Sequence, residues 1–412
     1  MHILFLTDNF APETNAPASR THEHTLRWVA SGHRVTVVTT APNFPAGKIF
    51  DGYRNRLWQR ETIDGVEVIR LWTYITANEG FLRRTLDYVS FMVSAILATP
   101  FLPRPDVIVS TSPQFFTPCA AYIVSRLKRR PWVFELRDLW PDSIVAVGAM
   151  KETALIRALR RLEYFLYRKA TRIVSVTHSF REILSRNGID PGKIEVVPNG
   201  ADLEAYRPGE KSEVLVESFV CQNKFVAAYV GTIGLAHGLG TLLDAAEQLL
   251  EHNNIAIVLV GTGAEEKALM AEAEHRGLVN VHFAGSVSKA EVREYWRLCD
   301  VAQVLLRDSP LFRHVLPSKM FEAMSTERPV ILGVQGESEA VLREAKAGIP
   351  IPPENSSALT EAILQLAGNR EECLAMGKAG RKFVTGRYNR DVLANRMLSV
   401  LDQASRGQGV AP

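Results

Sequence analysis

Short runs of apolar, often β-branched residues alternate along the chain with segments of helix length that carry polar positions. In the first half the runs fall at 3–7, 35–39, 66–71, 106–110, 132–135, 172–176 and 194–197, and helical patterns lie at 18–30, 82–99, 120–128, 152–170 and 179–187. The runs are continuous rather than alternating, which predicts strands buried on both faces of a mainly parallel sheet. A polar, turn-rich stretch at 204–224, containing Pro208-Gly209, predicts a linker. The alternation then restarts, with strands expected at 225–230, 255–260, 281–284, 301–305, 330–332 and 349–351, and helices at 240–250, 265–276, 289–298, 318–326 and 338–345. Three helical patterns without strands, 357–366, 371–383 and 391–404, follow. The pattern therefore predicts an α/β protein of two tandem Rossmann-like, doubly wound domains at 1–203 and 225–385, then a helix at 386–405 and a tail at 406–412. The default ligand site is the interdomain cleft.

Composition narrows the partners more than the fold. The chain has 412 residues, 46% hydrophobic and 23% charged, an ordinary globular balance. A net charge of +3 is too small to argue for nucleic acid as a partner. Cys119, Cys221, Cys299 and Cys373 lie far apart in apolar contexts and are expected to be reduced core residues. The N-terminus lacks a basic region and its apolar run is only strand length, so no signal peptide is expected. The longest uncharged run, 88–102, is shorter than the ~20 residues that span a bilayer. Basic and apolar residues mix at Phe81-Leu82-Arg83-Arg84 and again over 157–169. Such helices either dock on anionic lipid headgroups or cross an α/β domain with one solvated face.

Candidate chemistry concentrates at 313–330. Pro317 suits the first turn of a helix, and Arg328-Pro329 ends it before a short strand. Glu322 then stands in the first turns of a helix that opens after a strand and loop, with Ser318 and Lys319 before it. Amides and the positive helix end face an anion there, and a carboxylate can accept both hydrogens of a ribose diol. Gly231-Thr232-Ile233-Gly234 follows the first strand of the second domain, where glycines either admit a phosphate or simply turn the chain. Arg137-Asp138 opens a charged loop at a strand end, and Asn199 lies in the turn Pro198-Asn199-Gly200. The first βα turn has no glycine, and Gly261-Thr262-Gly263 lacks the third glycine of a dinucleotide fingerprint, so NAD chemistry is disfavoured. The ten histidines form no ligand spacing and no tightly held metal is expected; no G-x-S-x-G elbow occurs.

Taken together, Pro12-Glu13-Thr14 with Arg20, Gly32-His33-Arg34-Val35, Arg137-Asp138-Leu139-Trp140-Pro141, Val197-Pro198-Asn199-Gly200, Gly231-Thr232-Ile233-Gly234 and Pro317-Ser318-Lys319-Met320-Phe321-Glu322 resemble a GT-B glycosyltransferase of family four. The likeness is greatest to the bacterial O-antigen, capsule and colanic-acid branch, including N-acetyl-L-fucosaminyltransferase-like members. It implies retaining, metal-independent transfer of an N-acetylated or deoxy hexose, with no cofactor, from a UDP-sugar to an undecaprenyl-diphosphate-linked saccharide. The enzyme would be cytoplasmic and peripheral on the inner face of the bacterial cell membrane, with its last helix returning to the first domain.

By the same resemblance, Glu322, Ser318, Lys319, Gly231, Thr232, Gly234, His237, His314, Arg313 and Val287 bind the nucleotide sugar. Asp138, Arg137 and Lys319 are catalytic, and Asn15, Ala16, Arg20 and Asn199 face the sugars. Three positions depart from the family. His314 replaces a glutamate, Thr232 and His237 replace the Arg and Lys that neutralise the diphosphate, and Arg137-Asp138 replaces His-Asp. Lys319, the amides of 316–320 and Arg313 are then expected to meet the leaving diphosphate. A UDP-sugar 2-epimerase of the same fold, or a nucleotide-sugar-binding protein without chemistry, are the competing readings.

Overall fold

In the computed structural model, which describes residues 1–44, 47–76, 81–146 and 151–407, the apolar runs build two separate sheets. The first belongs to a unit formed by Met1–Pro198 and the chain from Asp391 on; the second belongs to Asn199–Arg390.

Unit 1 runs β1 (His2–Leu6), α1 (Ala16–Ala30), β2 (Arg34–Thr40), β3 (Trp58–Ile63), β4 (Val66–Leu71), α2 (Phe81–Ala98), β5 (Val107–Thr111), α3 (Phe116–Lys128), β6 (Trp132–Leu136), α4 (Asp142–Ala146), α5 (Ala154–Lys169), β7 (Arg172–Ser175), α6 (His178–Arg186) and β8 (Ile194–Val196). Its strand order is β3-β4-β2-β1-β5-β6-β7-β8, parallel except for β3. Strand β3 is not foreseen by the hydrophobic pattern because none of its residues is buried. It hairpins onto β4 through Asp64-Gly65, both at positive φ, the conformation a two-residue hairpin turn requires. Strand order reverses between β1 and β5, which opens a crevice at their carboxyl ends.

Unit 2 runs α7 (Glu213–Ser218), β9 (Phe225–Val230), α8 (Gly240–Gln248), β10 (Ile255–Val260), α9 (Glu266–His275), β11 (Val281–Gly285), α10 (Lys289–Leu298), β12 (Val301–Leu305), α11 (Ser318–Ser325), β13 (Val330–Gly333), α12 (Glu337–Ala345), β14 (Gly348–Pro350), α13 (Ser356–Gly368) and α14 (Arg370–Arg387). Its wholly parallel order, β11-β10-β9-β12-β13-β14, is the doubly wound arrangement with the reversal between β9 and β12. Burial on both faces is plain in β9: Val226, Ala228 and Val230 enter one core cluster, and Phe225, Ala227 and Tyr229 the other.

The stretch expected as a linker, 204–224, is instead packed into unit 2. Tyr206 and Cys221 are buried in its core, and Leu215, Val216 and Phe219 of the α7 region pack against it. Those few apolar positions are diluted by charged neighbours, so the segment reads as polar. The chain leaves unit 1 at Pro198 rather than near 203. Helix α15 (Arg390–Ser405) lies on unit 1, where Leu393, Met397, Val400, Leu401 and Ala404 join Phe5 and Trp28 in one cluster. Their spacing is that of a single helix stripe, and the Trp28 indole N–H donates to the Ala394 carbonyl at 3.0 Å. The tail expected at 406–412 lies, from 408 on, outside the described residues.

Candidate functional site

Unit 2 gathers its unusual side chains where β9 and β12 end. After Val230 the chain turns through Gly231, at φ 142°, and a Cβ there would stand 3.0 Å from Lys319 Nζ. The glycine is what lets the backbone lie against that ammonium. The second glycine pair has a different task. A Cβ on Gly261 would overlap the Gly231 carbonyl and one on Gly263 the Ile233 carbonyl, so Gly261-Thr262-Gly263 seats one loop on the other. The Gly231 N–H donates to Val260 O and the Ile233 N–H to Thr262 O, each at 2.9 Å, closing that seam.

Lys319 reaches from the first turn of α11 over the Tyr229 ring, with Nζ 3.9 Å from the centroid. Among the described residues its buried Nζ has no hydrogen-bond partner. Burial pulls its pKa down to about 7, against the raising influence of Glu322. The Tyr229 hydroxyl donates to the Thr232 carbonyl at 2.7 Å and holds the glycine turn. His237 lies beside the same ring with Nδ1 3.3 Å from Leu305 O. Burial first, and the Lys319 charge second, push its pKa to about 3, so it is a neutral imidazole and adds no cation.

Glu322, one turn beyond Lys319, is half-buried, and its Oε2 accepts from the Trp296 indole N–H at 3.3 Å. Ser318 opens α11 after Pro317. The preceding loop is pinned from several sides: Asn199 Nδ2 donates to Leu316 O at 3.2 Å, and the Ser338 hydroxyl donates to Val315 O. Asn199 thus belongs with unit 2's loop. Arg313 is exposed and lies 3.6 Å from Asp308; His314 ends the same turn. Thr232 is exposed, Gly234 precedes the short turn holding His237, and Val287 packs partly buried against the core beyond β11.

In unit 1, Arg137 reaches back to the start of α1, donating to Ala16 O at 3.1 Å and Pro17 O at 3.4 Å. Its backbone N–H and that of Asp138 both point at Ser112 Oγ. Burial raises Asp138 to about 6, opposed by hydrogen bonds from Ser143 and the Leu139 N–H. Behind this loop the Tyr167 hydroxyl donates to buried Glu163 at 2.6 Å; burial and the Asp142 and Asp138 charges hold Glu163 well above the carboxylate range. Asn15 caps α1 by accepting from the Ala18 N–H, while its Nδ2 is buried without a partner among the described residues.

Arg20, expected to face substrate, is instead a buried tie. It donates to Glu135 at 2.8 Å, Pro198 O at 2.9 Å and Val197 O at 3.0 Å, so its guanidinium is consumed within the unit. Burial would raise Glu135, but the charges of Arg20 and Arg137 outweigh it and hold the carboxyl below its usual value.

Several groups escape sequence reading. Tyr229 reads as strand core and Trp296 as a helix residue, and nothing local ties either to Lys319 or Glu322. Beyond the carboxyl end of β1, Asp8 stands within the electrostatic reach of Asp87 and Glu13. Burial and the two neighbouring carboxylates lift Asp8 well above the usual range, and burial lifts Asp87 to about 6. Among the described residues no group of three or more His, Cys, Asp or Glu side chains is arranged to hold a metal ion.

Residues 15–200 match the glycosyl transferase 4-like domain, and residues 213–383 match the glycosyl transferases group 1 domain. The chain is a tandem of two glycosyltransferase domains. Among relatives of this glycosyltransferase, WcaI of Escherichia coli, named for colanic acid biosynthesis, is 23% identical over 89% of this chain and 92% of its own length. WbjE of Pseudomonas aeruginosa, named as a glycosyltransferase, is 25% identical over 56% of this chain and 58% of its own. Anabaena HepE, solved in complex with UDP-glucose, superposes over 98% of this chain and 100% of its own at a TM-score of 0.71 and 16% identity, a likeness of fold. The fold is the two-domain GT-B architecture.

Proposed function

We propose that this glycosyltransferase moves a hexose, N-acetylated or deoxy, from a UDP-sugar to a lipid-linked saccharide in bacterial surface-polysaccharide synthesis, with retention at the anomeric carbon. The observation that carries the reading is the Lys319 ammonium, buried over the Tyr229 ring, without a hydrogen-bond partner among the described residues, and faced by the Gly231 backbone with Glu322 one turn on. A diphosphate supplies the anion that this ammonium lacks, and a ribose suits the Glu322 carboxylate. The names of WcaI and of the UDP-glucose complex of HepE support the pathway and the donor.

In the proposed step an acceptor hydroxyl oxygen bonds to the sugar C1 as the C1–O bond to UDP breaks. Retention without a covalent intermediate lets the departing phosphate oxygen take the hydroxyl proton. Lys319 and the first-turn amides of α11 stabilise the charge that develops on UDP. Asp138 orients the acceptor hydroxyl, with Arg137 fixing its loop against α1. The acceptor's lipid brings the enzyme to the inner face of the cell membrane; among the described residues no helix is long and apolar enough to cross it.

The test is turnover of UDP-sugars with a polyprenyl-diphosphate saccharide, the product's anomeric configuration being read by NMR. An axial donor giving an axial product is expected. Inversion, strict preference for a GDP-sugar, or an epimerised donor formed with no acceptor present would each sink the corresponding part of the reading.

A further inference from the structure

Unit 1 carries a recess outside the site described above. It is a shallow depression, wide open to solvent, with a volume of about 430 Å³, lined by Arg157, Arg160, Arg161, Tyr164 and Arg168 of α5 and by Asn187, just past α6. Arg157, Arg161, Tyr164 and Arg168 follow the i, i+4, i+7, i+11 repeat that sets side chains along one helix face. The helix packs through a different face, with Ile156, Glu163, Leu166 and Tyr167 buried. The arginines are therefore not needed for the core, and like charges one turn apart oppose the helix slightly.

Arg160 donates to Asp142 and Glu152. Arg157, Arg161 and Arg168 are exposed and form no salt bridge among the described residues. A guanidinium offers five donors and no acceptor, so the lining is rich in donors. Its fork matches phosphate oxygens two at a time, and several forks around one recess call for a ligand with more oxygens than a single phosphate. On the flank of the stripe Leu162 and Phe165 stand exposed, an apolar margin beside the charge. The Arg160–Asp142 pair joins the recess to α4, directly after the Asp138 loop.

We propose that the recess binds the diphosphate head of an anionic amphiphile. Arg157, Arg161 and Arg168 grip the phosphate oxygens, and Leu162 and Phe165 meet the beginning of its apolar tail. Identifying this ligand with the acceptor rests on the functional reading above; the diphosphate site itself does not.

The test is calorimetric titration of the full chain with inorganic pyrophosphate, farnesyl diphosphate and, separately, UDP, comparing wild type with the double variant Arg161→Ala/Arg168→Ala. The variant is expected to bind pyrophosphate and farnesyl diphosphate at least tenfold more weakly at the lost site, with unchanged melting temperature and UDP affinity. Wild type should prefer farnesyl diphosphate to pyrophosphate. Indistinguishable isotherms for the two proteins overturn the proposal. So does a wild type that ignores both diphosphates yet sediments, through these arginines, with phosphatidylcholine vesicles only when they contain phosphatidylglycerol, because the partner is then a headgroup layer. Arginine-dependent pyrophosphate binding in an enzyme that transfers no sugar would keep this inference and remove the functional one.

Discussion

Lys319 is a cation held where a cation is poorly solvated. With its pKa pulled to about 7, against roughly 10.4 for an ordinary lysine, it is largely neutral at pH 8 in the free protein. A bound diphosphate favours the charged form and raises that value, so nucleotide binding at pH 8 should take up protons. The enthalpy of UDP binding should then vary with the ionisation heat of the buffer, and Lys319→Ala should abolish that dependence. Equal enthalpies in all buffers for wild type would mean that Lys319 does not meet the phosphates. Gly231 is its partner in geometry. Gly231→Ala should weaken UDP binding by displacing Nζ, and should destabilise the fold by about 1–3 kcal/mol because φ is positive there. Urea unfolding with and without UDP separates the two effects.

At the level of elements, α15 is the piece whose loss should matter most to unit 1. Met397 and Leu401 are wholly buried, and replacing Leu401 by alanine should cost about 2–5 kcal/mol in chemical denaturation, with Trp28 reporting the change. A loss under 0.5 kcal/mol would show that the helix is not part of that core. The strands β1, β5, β9, β10 and β12 are legible in the sequence because burial on both faces makes their apolar runs continuous. Strand β3 is not, since an edge strand with one antiparallel partner carries no such run. Helix α7 is hidden for the opposite reason, a few core residues among many charges. The site divides in the same way. Glu322 and Lys319 share one short helix and are visible as a motif. Tyr229 and Trp296 come from β9 and α10, and Arg20 becomes a tie only through Glu135 and Val197, so those roles exist only once the chain is folded.

For the whole molecule, the proposed chemistry needs an ionised Asp138 and a charged Lys319 at once. Asp138, raised to about 6 by burial, is protonated below that pH, and its neutral carboxyl holds the acceptor's hydroxyl hydrogen more weakly than the carboxylate does. Transfer should therefore rise as pH increases through about 6, and fall again once the nucleotide-bound Lys319 loses its proton. Asp138→Asn exchanges a charged acceptor for a neutral one and should lower kcat about tenfold and remove the acidic limb, as measured in a pH–rate series. A series in which the variant keeps both the limb and the rate would take Asp138 out of the reaction. The central claim is that unit 2 holds a nucleotide by two separable contacts, Glu322 on the ribose and Lys319 on the diphosphate. Calorimetry with uridine and UDP on wild type, Glu322→Gln and Lys319→Ala tests it most directly. Glu322→Gln should weaken both ligands, and Lys319→Ala should weaken UDP at least tenfold while leaving uridine unchanged; wild-type affinity for UDP in both variants would contradict the claim.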